Sequence, residues 1–394
     1  MLSNICIVSY EFPPMVGGEA VYTYNISKKV SNLVHCVKVI TSDIGGKMNV
    51  SNDENFRLIY VHPIKKFPLK LFTFNIQAKK QLMDRCKKES IDIIHQTYDY
   101  YKIIIPKEKI NVPIVATIHH PFTAERKFFK MNKNHTSYWK YLILRRIYFL
   151  EKMQKNLCER ADGIIAVSRY TAQSIIEEYG IPKDKVEVIP NGVDINRFNH
   201  IVNGHEMREE WGIQSDPIVL FIGRLDYNKG IEYLIKSFTK VVKDITSAKL
   251  IIVGDGPQRN YVVNLVDSLN LRKSIKLIRK VKDDDLPKIY ASSDIVVLPS
   301  QMEGFGIVLI EAMASGKPCI ATRAGGVEDV ILDGKTGFIV PPADSNALYQ
   351  AIRDLLIDYD LIQEFGISGR KRVEENFTWD NIAKRTLSVY ESLL

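Results

Sequence analysis

A chain of 394 residues is too long for one ordinary core, and 45% hydrophobic with 25% charged residues excludes a disordered or fibrous protein. Five scattered cysteines without CxxC spacing exclude a disulfide framework or thiolate metal centre, and point to free thiols in a reducing cytosol. No apolar run reaches the roughly 18 residues of a spanning helix, and MLSNICIVSY lacks the basic start and long apolar core of a signal peptide.

The first half alternates short apolar runs with longer periodic ones. Ile5–Tyr10, His35–Thr41, Phe56–Val61, Ile91–Gln96, Ile114–Ile118, Gly163–Val167 and Val186–Ile189 read as buried strands, and Ala20–Leu33 and Ile76–Lys88 as helices between them. Such alternation predicts a doubly wound parallel sheet. Pro190 to Asp194 breaks the pattern into turn residues, and a polar stretch runs on to Asp216. The expected domains are therefore residues 1–200 and 205–377, with a last helix over 378–394 returning to the first. In the second half, strands are expected at Ile218–Ile222, Leu250–Val253, Ile275–Ile278, Ile295–Leu298 and Pro318–Thr322. Helices follow at Ser345–Ile357, Leu361–Glu375 and Asp380–Leu394. Two similar α/β domains facing one another would leave a cleft at the carboxyl ends of their strands.

The net charge of +8 is local. Arg126 to Lys155 holds nine Lys or Arg against one acidic residue, Glu151, and the rest of the chain balances at 45 of each sign. Phe128, Phe129, Tyr138, Trp139, Tyr141, Tyr148 and Phe149 lie in the same window. Projected as a helix, Lys140, Arg145, Glu151, Lys152 and Lys155 share one half, and Leu142, Ile143, Phe149 and Leu150 the other. Arg146 is misplaced, and Tyr141, Leu144 and Tyr148 interleave with the charges. Two readings fit: contact with an anionic membrane surface, with KKFPLKLF (Lys65 to Phe72) as a second contact, or a core helix with a solvated basic face. No nucleic-acid-binding motif accompanies the patch.

Candidate site residues follow strands. EGFGIVLIEAMASGKP (Glu303 to Pro318) comes after the apolar run Asp294–Ser300, and strand, glycine loop, helix is an order that offers backbone N–H groups to a phosphate. Glu303 and Glu311 are eight residues apart, about 12 Å if both were helical, too far for the roughly 5–9.5 Å of a hydrolytic carboxyl pair. Two carboxylates touching two parts of one elongated ligand fit better. Arg224 and Lys229 in FIGRLDYNKG suit a diphosphate. Tyr10 to Gly18 forms another glycine-bearing loop after a strand, and VATIHH delivers His119 or His120 at a strand end. Asp283-Asp284-Asp285 reads as a helix start rather than a metal motif. Gly254-x-Gly256 fails the dinucleotide fingerprint because Arg259 stands at the third glycine.

Together these segments resemble the family 4 retaining glycosyltransferases of the GT-B fold. The likeness spans essentially the whole chain, from the PP…GG loop through VATIH, IPNGVD, GRL…KG, VGDGP, VVLPS, E-x7-E and Gly325-Gly326 to FTW (Phe377 to Trp379). It implies transfer of a hexosyl residue from a UDP- or GDP-sugar to a glycan or lipid-linked acceptor, with retention of configuration. In such a protein Arg224 and Lys229 neutralise the departing diphosphate. Gly18 and the backbone of Gly304, Phe305 and Gly306 line phosphates and sugar, Glu311 receives the ribose hydroxyls, and Glu303 contacts the donor sugar. His119 lies by the reacting carbon, and the nucleobase rests near Lys280 and Val281. The resemblance also implies that the basic pair takes the place of a metal and that no cofactor is required; the cysteine pattern, in turn, leads to the expectation of a cytoplasmic enzyme, peripheral to the inner face of the membrane if the basic window binds it. The alternatives are a sugar-nucleotide epimerase or phosphorylase on the same fold, or a non-catalytic nucleotide-sugar-binding subunit.

Overall fold

The computed structural model describes residues 2–15, 17–48, 54–64, 66, 69–98, 111–131 and 137–394, with the side chains of 131 and 137–140 left aside. Lys65, Phe67 and Pro68 of the proposed second membrane contact, and 132–136 of the basic window, lie outside the described residues. The chain divides into two compact units: Met1–Asn191 with Trp379–Leu394, and Gly192–Thr378.

The amino-terminal unit holds strands β1 (Asn4–Val8), β2 (Cys36–Ser42), β3 (Phe56–Val61), β4 (Ile93–Gln96), β5 (Ile114–Ile118), β6 (Gly163–Ala166) and β7 (Val186–Val188). They form one parallel sheet in the order β3-β2-β1-β4-β5-β6-β7. Its helices are α1 (Gly18–Ser31), α2 (Leu69–Lys88), α3 (Phe122–Met131), α4 (Ser137–Arg160) and α5 (Arg169–Tyr179). Helices cover both faces of a parallel sheet, which is why its strands read as unbroken apolar runs. On one face Ile5, Ile7, Val37, Ile93, Val115 and Ile165 pack under Tyr22, Ile26 and Val30 of α1. On the other, Cys6, Val8, Ile40 and Ile94 meet Phe74, Ala78 and Leu82 of α2, and Ala116, Ile118 and Ile164 meet Leu157 and Cys158 of α4.

The carboxy-terminal unit starts with α6 (His205–Trp211) and continues as β8 (Ile218–Ile222), α7 (Ile231–Asp244), β9 (Lys249–Val253), α8 (Arg259–Ser268) and β10 (Ile275–Ile278). Then come α9 (Leu286–Ser292), β11 (Ile295–Leu298), α10 (Ile307–Ala314), β12 (Cys319–Thr322), α11 (Val327–Val330), β13 (Gly337–Val340), α12 (Ser345–Ile357) and α13 (Tyr359–Asn376). Its parallel sheet runs β10-β9-β8-β11-β12-β13, the order of a doubly wound nucleotide-binding fold. Asp344 and Asp358 cap α12 and α13, their carboxylates accepting from backbone N–H groups two to three residues on. The last helix, α14 (Trp379–Glu391), returns to the first unit, where Trp379, Ile382, Ala383 and Tyr390 are buried in the α1 core.

Three expectations need correction. β13 went unread, because GFIV is a four-residue edge strand that begins with Gly337 and stops at Pro341. Helix α2 begins at Leu69 rather than Ile76, since exposed Leu69, Phe72 and Ile76 mask the buried period of Phe74, Ala78 and Leu82. In α4, Phe149 is exposed beside Tyr141 and Tyr148, not grouped with Leu150; the buried stripe is Ile147, Leu150, Gln154, Leu157 and Cys158. The helical phase is set by what the sheet covers, and it rotates Phe149 outward. Asp283 to Asp285 does open a helix, as a short turn leading into α9.

Trp379→Ala should lower the stability of the amino-terminal unit by about 3–5 kcal/mol. Urea unfolding followed by near-UV circular dichroism measures it; a loss under 1 kcal/mol would mean that α14 is dispensable to that core.

Candidate active site

Both sheets reverse their strand order at one point, between β1 and β4 and between β8 and β11. There the crossovers lead away in opposite directions, and it is outside the carboxyl ends of such strands that ligands of open α/β sheets bind. In the carboxy-terminal unit the loops after β8 and β11 meet at this place. Gly230 takes a left-handed φ of 61°, and a Cβ on it would come 2.1 Å from Pro299 O. Gln301 N donates to Asn228 O at 2.7 Å. This fastening sets Lys229 Nζ 2.7 Å from Glu303 Oε2, with the two side chains 21% and 14% exposed. Ser300 Oγ donates to the same carboxylate oxygen at 3.2 Å. The backbone of Glu303 is held in turn, its carbonyl accepting from Gly326 N at 3.0 Å in the paired-glycine turn after β12.

Gly304, Phe305 and Gly306 carry the loop into α10. Gly306 has φ 94° and no side chain caps the helix, so the first two N–H groups of α10 lack an acceptor within the helix, while the third, Leu309 N, donates to Gly306 O at 2.9 Å. Buried Phe305 packs edge-on against Phe377 at 5.9 Å, anchoring the loop from beneath. Glu311 lies further down this helix and has different partners. Tyr290 donates its hydroxyl to Glu311 Oε2 at 2.7 Å. Desolvation pushes the Glu311 carboxyl up to about 7, against the lowering effects of the Tyr290 hydrogen bond and the Arg197 charge. Glu303 and Glu311 thus sit in separate environments, one paired with a cation and one with a phenol.

Arg224 and Lys229 do not act alike. Lys229 turns to Glu303, whereas Arg224 is about three-quarters exposed and donates from Nε to Asp226 Oδ2 at 2.8 Å. The loop after β9 packs directly on the GRL loop: a Cβ on Gly254 would lie 1.9 Å from Gly223 O, and Leu225 N donates to Asp255 O at 2.9 Å. The glycines of VGDGP therefore serve loop-to-loop approach. Arg259, at the third-glycine position, donates to Gly254 O at 3.2 Å. Lys280 is exposed and Val281 half-buried on the segment after β10, with Arg279 beside them paired to Asp255 at 2.8 Å.

In the amino-terminal unit, Gly18 begins α1 directly after the loop that follows β1, and its N-cap residue, Gly17, offers no side-chain cap. His119 follows β5. Its Nε2 lies 3.1 Å from Thr97 O at the end of β4, and the edge of Tyr22 meets its ring at 4.9 Å. Loss of hydration lowers its pKa to about 4, with the His120 charge adding to the effect and the Thr97 hydrogen bond opposing it. Near pH 7 the ring is neutral, donating from Nε2 and keeping Nδ1 as its acceptor. His120 faces elsewhere, with Phe122 at 4.9 Å and Glu125 Oε2 at 3.7 Å. The strand end thus directs the first histidine, not the second, toward the switch point.

Sequence reading missed the residues that hold these groups: Tyr22 and Thr97 for His119, Ser300 for Glu303, Tyr290 for Glu311. Thr97 and Ser300 follow β4 and β11, so the rule that ligands bind beyond switch-point strands could have flagged them. Tyr290 has no local signal. Among the described residues, no group of three or more His, Cys, Asp or Glu is placed to hold a metal ion, and no helix is long and apolar enough to cross a membrane.

Residues 16–197 match the family described as Glycosyltransferase Family 4, and residues 204–372 the family described as Glycosyl transferases group 1. An uncharacterized glycosyltransferase of Methanocaldococcus jannaschii is 29% identical over 98% of both chains. A GDP-mannose-dependent alpha-(1-6)-phosphatidylinositol monomannoside mannosyltransferase of Mycolicibacterium smegmatis is 33% identical over 56% of this chain and 59% of its own. The structure of a sucrose-phosphate synthase from Thermosynechococcus elongatus superposes with a TM-score of 0.81, covering 99% of each chain at 24% identity, a likeness of fold.

Because the folded state holds the Glu311 proton up to about pH 7 and an unfolded carboxyl releases it near 4.3, this group's contribution to stability is whole below about pH 4 and is lost as pH rises through 7. Glu311→Gln should therefore gain in melting temperature relative to the unsubstituted chain between pH 5 and 8. A difference that stays constant over that range would refute the raised pKa.

Proposed function

The chain belongs to the glycosyltransferases, with a Family 4 amino-terminal half and a group 1 carboxy-terminal half, and we propose that it transfers a hexosyl residue from a UDP- or GDP-sugar to a glycan or lipid-linked acceptor with retention of configuration. The observation that carries the donor assignment is the Lys229–Glu303 pair, set beside the uncapped start of α10. A diphosphate bearing two or more negative charges competes for Lys229 and for the N–H groups of Gly304, Phe305 and Gly306. Glu303, relieved of its cation, then accepts hydroxyls of the donor sugar.

The bond from the anomeric carbon to the phosphate oxygen breaks, and the acceptor oxygen bonds to that carbon on the same face. The acceptor's proton passes to the departing diphosphate. Lys229 stabilises the charge that develops on this leaving group, with Arg224 adding charge from the rim once released from Asp226. Glu311 accepts the ribose hydroxyls, the base lies along Lys280 and Val281, and Gly18 lets the backbone approach the donor. His119, neutral and held through Nε2, lies by the transferring sugar near the reacting carbon. No metal or cofactor is required in this reading. The GDP-mannose and phosphatidylinositol in the name of the Mycolicibacterium smegmatis relative support a GDP-sugar and a lipid-linked acceptor. The basic window, 126–155, supports a cytoplasmic enzyme held at an anionic membrane face.

Turnover of UDP- and GDP-sugars, measured as release of nucleoside diphosphate with and without lipid extract as acceptor source, tests the reading directly. Lys229→Ala should lower the rate about 10²–10³-fold; a rate near that of the unsubstituted enzyme would remove the phosphate assignment.

Calorimetric titration with the nucleoside diphosphate alone separates the two carboxylates. Glu311→Ala should weaken binding at least tenfold, while Glu303→Ala should leave it within about twofold and reduce transfer. His119→Ala should keep donor binding and slow transfer more than His120→Ala. The reverse order would shift the site histidine by one residue.

A further inference from the structure

Two helices of the amino-terminal unit carry more apolar surface than a solvated helix needs. On α2 the exposed residues Leu69 (46%), Phe72 (58%) and Ile76 (54%) recur at helical spacing, with exposed Ile64 just before them, while the opposite stripe, Phe74, Ala78 and Leu82, is core. Both sides of the first two turns are therefore apolar, and among the described residues one side is core and the other exposed. On α4 Tyr141, Tyr148 and Phe149 are 55–64% exposed.

The topology puts these residues together. Ile94 pairs with Cys6 on one side and Ile114 on the other, so all three point to one face of the sheet. Ala116 and Ile118, two and four residues after Ile114, share that face. The α2 core contains Cys6, Ile94 and Ile114, and the α4 core contains Ala116 and Ile118. Hence α2 and α4 lie on the same face.

Their ends coincide as well. In a parallel sheet, helices that return to the next strand start from the carboxyl edge. Helix α4 ends three residues before β6 begins, and its 24 residues span about 36 Å, against about 16 Å for a five-residue strand. Its first half must overshoot the carboxyl edge, as must the first turns of the 20-residue α2. Helix α2 packs on β2 and β3, and α4 on β5. From β2 to β5 is three strand spacings, about 14 Å, and the β1 and β4 switch point lies between.

Charge names the occupant. Arg126 is paired with Glu151, Lys127 with Glu178 and Lys155 with Glu159. Among the described residues, Arg145, Arg146 and Lys152 are exposed without an ion pair on the helix that carries the exposed aromatics. On α2 the exposed Lys80 continues the apolar stripe. Apolar and aromatic side chains at one edge with cations around them match an anionic bilayer, whose headgroups take the charges and whose acyl boundary takes the apolar residues.

We propose that the first half of α2 and the middle of α4, from Tyr141 to Lys152, form one docking surface for an anionic lipid bilayer, in which α4 supplies electrostatic attraction and α2 the apolar insertion. This deepens the reading above, on which the acceptor is lipid-linked, because it sets the bilayer at the edge where His119 lies.

The test uses the full chain and vesicles of phosphatidylcholine with or without 30% phosphatidylglycerol, a composition chosen as about one anionic lipid in three. The unsubstituted protein should co-sediment with the anionic vesicles and at least tenfold less with neutral ones. Arg145→Gln/Arg146→Gln/Lys152→Gln should reduce binding at low salt and lose most of its salt dependence. Leu69→Ser/Phe72→Ser/Ile76→Ser should reduce it at least tenfold while retaining nucleoside diphosphate affinity and a cooperative melt. The milder Phe72→Ser alone should show an intermediate loss if the triple variant does not fold. Anionic-vesicle binding unchanged in the α2 variants overturns the proposal. So does a concentration-dependent dimer abolished by them, which would make the stripe a subunit interface. Vesicle binding without donor turnover would instead overturn the transfer reading and leave the surface standing.

Discussion

The reversal of strand order in each parallel sheet is the constraint on which the candidate site depends. Where β8 gives way to β11, no crossover helix spans the strand ends, and the loops that emerge there must be tied by their own contacts. They are tied by backbone: Gly230 against Pro299, Gln301 to Asn228, Gly326 to Glu303. Only after this knitting does Lys229 face Glu303. Water competes weakly at such a largely buried pair, so the fold holds its geometry.

The amino-terminal unit meets the same constraint with hydroxyls. Thr23 Oγ1 lies 2.8 Å from Thr97 Oγ1 and 3.2 Å from Ser9 Oγ, crosslinking α1 to the ends of β1 and β4. A second chain runs from Tyr390 through His95 to Thr117 and Tyr22, with separations of 2.6, 2.8 and 3.0 Å. Burial lowers the His95 pKa to about 3, so the ring stays neutral and gives one donor and one acceptor to this chain. A buried polar network costs stability unless every member is satisfied. This one is completed by Tyr390, from a helix that rejoins the unit only after the whole second unit has been built. The edge of Tyr22 against His119 then extends that support to the strand end.

The two glutamates show how tertiary surroundings divide one residue type into two chemistries. Glu303 is neutralised by a cation 2.7 Å away, while Glu311 is desolvated and receives a phenol hydrogen bond from Tyr290. Ionising Glu311 is unfavourable until something polar replaces its lost water, and sugar hydroxyls would do so. Arg197, which lowers its pKa from the crossing segment after Asn191, is itself held by Asp283 at 2.6 Å.

Most strands were legible in the chain itself, because a parallel sheet buried on both faces must be written as short β-branched runs between turn residues. Phe56–Val61, Ile114–Ile118, Ile218–Ile222, Ile275–Ile278 and Ile295–Leu298 have those bounds in the structure. The glycosyltransferase family was legible too, since its motifs are local loops whose glycines and charges recur in a set order. What sequence could not decide was which way side chains face. His119 and His120 are chemically identical neighbours, and tertiary contacts distinguish them: Thr97 and Tyr22 against the first, Glu125 and Phe122 against the second. Arg224 and Lys229 read as a pair, yet the fold sends one to Asp226 and one to Glu303. The phase of α4, which exposes Phe149, and the partners Tyr22, Tyr290 and Tyr390 depend on contacts between residues from 21 to nearly 300 positions apart. No local pattern encodes such separations, because burial is set by packing of the whole unit rather than by neighbours along the chain.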